Sequence, residues 1–176
     1  MRSRKLRRSA IIFGFLSSVS FAIGQGNLPS PPGTADVELK GQKVTITYGR
    51  PSMRGRKIFG DLVPYGQVWR TGANEATTLT TPVNLSIGGT TIPSGKYTLW
   101  TLPGESSWKL IVNKQTGQWG TEYQESQDLA RIDMKTSRLS RPVEQFMISW
   151  NKTGADRADL VLEWENTKAF VSVAAK

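Results

Sequence analysis

The sequence KVTITY, residues 43–48, decides the fold class, because apolar residues occupy every second position in it. These residues are Val44, Ile46 and Tyr48, with a threonine between each pair. A period of two is typical of a β-strand that buries one face and exposes the other. The segment therefore predicts a half-buried strand.

Similar strand-like runs recur along the chain, with turn-forming residues between them. They cover residues 35–39, 76–81, 83–87, 96–102 and 108–113, and further alternation surrounds residues 132–134, 146–150 and 160–164. Gly41-Gln42 predicts a hairpin between the first two strands, with glycine at its first turn position. Only residues 121–130 favour a short helix.

Eight or more short strands with closely spaced turns predict an all-β, single-domain protein, an antiparallel β-sandwich or jelly-roll-like barrel. Alternation also predicts which side chains are buried. The residues predicted to lie in the core are Val44, Ile46, Leu99, Leu110, Val112, Ile148, Trp150, Leu160 and Leu162.

The first 24 residues have the pattern of a secretory signal peptide. Five cations precede an apolar run at residues 10–21, and small residues follow it. The run is shorter than the roughly 20 residues that cross a bilayer, so cleavage before Gln25 is predicted, without stable membrane insertion afterwards. Residues 25–33 are rich in Pro and Gly and are predicted to form a flexible lead, with a single β domain at residues 34–176. We expect an exported protein.

The composition narrows the possible chemistry. The chain has 23 Lys and Arg against 14 Asp and Glu, but five of these cations lie in the predicted signal, so the excess falls from nine to four without it. No nucleic-acid motif accompanies this excess, and no nucleic-acid partner is expected. There is no Cys and no His, which excludes disulfides, Cys nucleophiles and Ser-His-Asp triads. No metal or other cofactor is predicted.

Residues 48–78, YGRPSMRGRKIFGDLVPYGQVWRTGANEATT, form the segment best suited to a ligand site. It contains five cations and two acids, Asp61 and Glu75, among prolines and glycines. Such a composition is typical of a functional loop on a rigid scaffold. The candidate ligand-binding residues are Arg50, Arg54, Arg56, Tyr65, Trp69, Arg70, Asn74 and Glu75.

These residue types are compatible with two kinds of ligand. Guanidinium groups bind carboxylate, sulfate or phosphate through paired hydrogen bonds. The rings of Tyr65 and Trp69, beside Asn74 and Glu75, are suited to a sugar. Alternatively, the arginines hold the loop in shape by binding Glu75, Asp61 or loop carbonyls, and Trp69 packs in the core. We expect Glu75 to pair with at least one of the four arginines.

A longer set of motifs resembles a known family. They include YGRP at residues 48–51, RGRKIFG at 54–60, LVPYG at 62–66, VWRTGANEAT at 68–77 and IPSGKYTL at 92–99, followed by Trp108 and QWG at 118–120. Together they resemble a bacterial exported family known as domain of unknown function 2911. The resemblance implies a secreted or periplasmic β-rich domain and brings no substrate or catalytic residue.

Three functions from different classes remain. The first is an exported envelope domain that binds a saccharide or anionic ligand through residues 48–78 without catalysis, and this is the one we favour. The second is a glycan hydrolase that uses Asp61 and Glu75, for which the two carboxylates must lie roughly 5 to 9.5 Å apart. The third is a structural or protein-interaction domain. No catalytic residue is assigned, and the oligomeric state does not follow from the sequence.

Overall fold

The described part of the chain is an all-β domain. A computed structural model describes residues 30–176, so the predicted signal peptide and residues 25–29 of the predicted lead lie outside it. The nine strands are β1 Pro32–Leu39, β2 Gln42–Gly49, β3 Thr78–Thr81, β4 Leu85–Ile87, β5 Thr90–Ile92, β6 Gly95–Leu102, β7 Trp108–Asn113, β8 Asp128–Lys152 and β9 Arg157–Ala175. Within these residues the one helical turn is a 3-10 helix at Glu125–Gln127, shorter than the helix predicted at 121–130. No helix in this part of the chain is long and apolar enough to cross a membrane.

All nine strands belong to one antiparallel sheet in the order β1-β2-β3-β6-β7-β8-β9-β4-β5. The long strand β8 connects the two halves, because its first residues pair with β7 and the remainder pairs with β9. The sheet is not closed into a barrel. The prediction of a single, antiparallel all-β domain is therefore confirmed.

The sheet folds back on itself, so that β1 and β2 face the second half of β8. The hydroxyl of Tyr48 donates to the carbonyl of Ile148 at 3.2 Å and accepts from its amide at 2.9 Å. The indole of Trp150 donates to the carbonyl of Ala35 at 3.3 Å. These contacts join two layers of a sandwich-like core, since they link residues on opposite halves of the sheet.

Eight of the nine residues predicted to be buried are buried. The exception is Trp150, which is half-buried. Its indole N–H needs a hydrogen-bond partner and finds the Ala35 carbonyl of the edge strand β1, a position where a large aromatic ring stays partly in contact with solvent.

Two boundaries differ from the sequence prediction. The first hairpin turns at Lys40 and Gly41, one residue earlier than predicted, and both have positive φ (50° and 71°). This is the pattern of a two-residue type I′ turn, whose twist matches that of the flanking strands. Strand β1 begins at Pro32, before the predicted domain start at residue 34.

Strand β8 unites two runs that were predicted as separate strands. Its pairing with β9 is irregular around Val143 and Met147. In this interval β8 instead pairs with the 48–78 segment: the amide of Met53 donates to Glu144 and that of Phe146 to Pro51, both at 2.8 Å. The bulge therefore fixes the start of the candidate loop against the sheet.

Candidate functional site

The 48–78 segment wraps around a cluster of aromatic rings. Trp69 stacks on Trp164 with ring centroids 5.7 Å apart and makes edge contacts with Phe146 and Phe59 at 5.0 and 5.9 Å. Backbone hydrogen bonds of 2.8 and 3.0 Å between Trp69 and Thr101 of β6 hold it there. Trp69 thus packs mainly in the core, which was the alternative to its contacting a ligand. The exposed part of its ring borders a cleft.

This cleft, of about 310 Å³, brings together four of the eight candidate residues, and we call it the arginine cleft. The four are Arg54, Arg56, Trp69 and Arg70. Val63 and Trp164 also line it, but neither could be recognised from sequence, because both have the pattern of ordinary core residues. Among the described residues that line the cleft there are three cations and no acid. Such a site favours negatively charged groups.

Arg56 combines a structural role with a position at the cleft. Its Nε donates to the carbonyl of Met53 at 2.9 Å, and its Nη2 donates to that of Ser52 at 2.8 Å. The Met53 carbonyl also accepts from the Arg56 amide at 3.1 Å, which closes a turn, and Ser52 precedes that turn. Among the described residues Nη1 has no partner, so one edge of the guanidinium stays available to a ligand.

Arg70 keeps unused hydrogen-bonding capacity at the cleft. Its Nε donates to the carbonyl of Gly72 at 3.3 Å, and within residues 30–176 neither Nη1 nor Nη2 has a protein partner. The side chain is half-buried, so its position is restricted while both terminal amino groups can donate. That geometry suits a bidentate contact with a carboxylate, sulfate or phosphate.

Arg54 is fixed through its backbone. Its amide donates to the Glu144 carboxylate at 2.9 Å, and its φ of 50° is uncommon for a residue other than glycine. Such a conformation persists only where the surroundings enforce it. Here the pairing of Met53 with Glu144 and the Arg56 turn supply that restraint.

A close backbone contact positions residues 71–75, the arm that follows Arg70. A Cβ atom on Gly49 would overlap the carbonyl oxygen of Ala73, so the 71–75 arm lies directly on the end of β2. Thr71 is fully buried with a φ of 52°, and Thr77 donates to its carbonyl at 2.7 Å. The arm is therefore held by packing and hydrogen bonds on both sides.

Asn74 and Glu75 lie outside the arginine cleft. They border a separate depression of about 310 Å³ along β1 and β2, which we call the strand cleft. The amide group of Asn74 donates to the carbonyl of Ser30 at 2.9 Å and so secures the start of the described chain.

The predicted pairing of Glu75 is wrong. Glu75 is exposed, and within residues 30–176 it forms no ion pair with any of the four arginines. Arg56 and Arg70 bind main-chain carbonyls instead. Of the two acids proposed for hydrolysis, Glu75 lines the strand cleft and Asp61 does not.

The remaining two candidates are also placed apart. Arg50 lines none of these clefts; its Nε is buried with no hydrogen-bond partner in the described part of the chain. Tyr65 borders a larger cleft of about 570 Å³. We call it the hydroxyl cleft, because hydroxyl groups and an amide line it together with the tyrosine. The residues that give it this character are Tyr65, Thr136, Ser137, Asn166 and Thr167.

A further polar cluster is held together by hydrogen bonds and ion pairs. Arg131 binds Asp128 and Glu125, both at 2.8 Å, and the Tyr123 hydroxyl donates to Asp128 at 2.7 Å. Burial, and then the bond to the Asp128 carboxylate, raise the pKa of Tyr123 to about 12. In residues 30–176 no three acidic side chains are grouped so that they could hold a metal ion. These contacts hold the cluster together and indicate a structural role.

The comparisons with known proteins identify the family and nothing beyond it. The model of a family described as "Protein of unknown function (DUF2911)" matches residues 30–173, which is most of the chain. The chain therefore belongs to this family. No curated protein and no solved structure matches it.

Proposed function

We propose that this member of a family of unknown function is an exported, non-enzymatic domain that binds a small anionic ligand in the arginine cleft. The ligand class is a carboxylate, sulfate or phosphate. Arg70 would provide the main bidentate contact, Arg54 and the free edge of Arg56 the surrounding charge, and Trp69 an apolar wall.

One observation carries this proposal: three arginines and no acid, among the described residues, line one cleft with an aromatic wall. Like charges held together are unfavourable unless solvent or a counter-charge offsets them. The acid expected to offset them, Glu75, lies in the strand cleft, and the Glu144 carboxylate beside Arg54 accepts from the backbone amide of that residue. The partners that Arg56 and Arg70 do have are carbonyls, which position the guanidinium groups and leave their positive charge in place.

Two further parts of the proposal rest on the sequence. Export follows from the signal-peptide pattern of residues 1–24. The absence of a catalytic role is inferred because no His or Cys is present in the chain, and because the arginine cleft lacks the paired carboxylates of a glycosidase.

The test is a titration of the purified, ¹⁵N-labelled protein with sulfate, phosphate and D-glucuronate at constant ionic strength. D-glucose, which matches glucuronate except for the carboxylate, is the neutral control. We expect amide shifts at residues 54–56 and 69–72 with an anion and none there with glucose. Arg70→Gln should weaken binding by about tenfold or more, since it removes charge-assisted hydrogen bonds.

Glu75→Gln is the matched control variant, because Glu75 belongs to the same segment but lies outside the cleft. It should bind within about twofold of the wild type. The proposal fails if no anion shifts the cleft amides, or if Arg70→Gln binds as tightly as the wild type while its melting temperature shows that it is folded.

A further inference from the structure

The hydroxyl cleft combines features that the arginine cleft lacks. Its volume of about 570 Å³ falls in the range of about 300 to 1,000 Å³ typical of small-molecule sites. Two cations, Lys57 and Arg138, and two acids, Glu105 and Glu165, line it. The formal charges therefore balance, and the cleft has no preference for an anion of the kind that the arginine cleft shows.

Its polar side chains are largely unused by the protein. Within residues 30–176, the side chains of Thr136, Ser137, Asn166 and Thr167 make no hydrogen bond, and neither does the carboxylate of Glu105. Hydroxyl, amide and carboxylate groups that face one cleft can both donate and accept, which is what a polyhydroxylated ligand requires.

An aromatic ring completes the site. Tyr65 is 39% exposed and packs against Gly60, where an added Cβ would lie 2.8 Å from the ring. With a φ of 82° at Gly60, the turn also favours glycine there. The ring is thus supported by backbone while a large part of it remains accessible. An aromatic ring of this kind covers the apolar C–H surface of a sugar.

Paired strands form one wall of the cleft. Thr136, Ser137 and Arg138 lie on β8 and pair with β9, and the register shifts directly after Arg138. Glu165 has a φ of 53°, and its carboxylate accepts from the amides of Ile58 and Phe59 at 3.3 and 3.5 Å. The strained residue thereby joins the β9 wall to the 48–78 segment, and strain of this sort is concentrated at ligand sites.

From these observations we propose that the hydroxyl cleft binds a small neutral saccharide, with Tyr65 stacking on a sugar ring and the polar groups of β8 and β9 binding its hydroxyls. This site is separate from the arginine cleft, since none of the residues that line one lines the other. It can therefore be tested independently of the anion site.

The experiment is a titration of the ¹⁵N-labelled protein with cellobiose, maltose and N,N′-diacetylchitobiose. We expect at least one of them to shift the amides of residues 136–138 and 165–167 and to leave those of residues 69–72 unchanged. Tyr65→Ala should weaken that binding by about tenfold, whereas Tyr65→Phe, which keeps the ring, should retain it.

Arg70→Gln separates the two sites, because it should weaken anion binding and leave saccharide binding intact. The proposal is overturned if none of the three disaccharides shifts the cleft amides, or if folded Tyr65→Ala binds as the wild type does. It is equally overturned if Arg70→Gln weakens saccharide binding as much as Tyr65→Ala.

Discussion

The arginine cleft and the hydroxyl cleft share one chain segment and one aromatic cluster, yet they differ in charge and in construction. Trp69 lines the first and Phe59 the second, and the two rings are in contact at 5.9 Å. Three cations without an acid surround one cleft, and two cations with two acids surround the other. The two sides of a single loop therefore present different charge, although both lie beside strands β8 and β9.

The two clefts also differ in what holds their polar groups. Arg56 and Arg70 are oriented by carbonyls of the loop itself, so the arginine cleft depends on the path of the loop. In the hydroxyl cleft, Ser137 and Thr167 lie on the paired strands β8 and β9. Changes that displace the 69–75 part of the loop, which does not include Tyr65, should consequently affect anion binding before saccharide binding.

The largest effect is expected from Trp164, which belongs to the aromatic cluster that both clefts adjoin. Trp164 is fully buried and contacts Trp69, Phe59 and Phe146. Trp164→Ala should lower the free energy of unfolding by about 3 to 5 kcal/mol, as for other large buried aromatics, and should reduce binding at both clefts. Urea denaturation measures the first effect and the two titrations measure the second.

The control for this change is Trp119→Ala. Trp119 is 47% exposed, so its removal should change stability by no more than about 0.5 kcal/mol. An equal loss of stability in both variants would show that the aromatic cluster is not the common support.

The next largest effect should change the binding affinity of one cleft and leave that of the other unchanged. Gly49→Ala forces its new methyl group against the carbonyl of Ala73 and should cost about 1 to 3 kcal/mol, as overpacking does elsewhere. The 71–75 arm beside Arg70 must shift, so anion affinity should fall, while the affinity of the hydroxyl cleft should not. Gly154→Ala, where the added Cβ meets only ordinary contacts, is the matched control. Equal loss of both affinities in Gly49→Ala would contradict the independence of the clefts.

A smaller effect is expected at Tyr123, which lies outside both clefts. It tests whether a change elsewhere in the fold leaves both binding affinities unaltered. The pKa of Tyr123 is raised to about 12 in the folded protein from the ordinary tyrosine value of 10.0. A group with a raised pKa contributes its full stability below the unfolded pKa and loses it as the pH rises through the folded one. Between pH 10 and 12 stability should therefore fall by up to about 1.4 kcal/mol per pH unit from this group.

Tyr123→Phe should remove that part of the alkaline slope in urea denaturation. Neither ligand affinity should change at neutral pH, because Tyr123 lines neither cleft. A variant with the same slope as the wild type would show that another group causes the alkaline loss.

The strands were predictable from sequence, and the division of the site was not. The alternation of Val44 and Ile46 with threonines predicts a buried strand face, and both side chains are buried in the structure. The path of residues 48–78 depends instead on distant partners, such as Glu144 for Met53 and Thr101 for Trp69. No local pattern encodes these contacts, so eight candidates that looked like one site fall into three clefts and one half-buried position outside them.

The smallest expected effect comes from Glu75, and it follows from where the structure places that residue. Glu75 is exposed and has no arginine partner in the described part of the chain, so Glu75→Gln should change the free energy of unfolding by less than about 0.5 kcal/mol. Removing one negative charge from a basic segment should raise anion affinity slightly, by less than about twofold, and only at low salt, where screening is weak. Isothermal titration with glucuronate at two salt concentrations measures this change. A loss of stability by several kcal/mol would instead reveal an internal ion pair and would place Glu75 within the arginine cleft, which would weaken its contrast with the charge-balanced hydroxyl cleft.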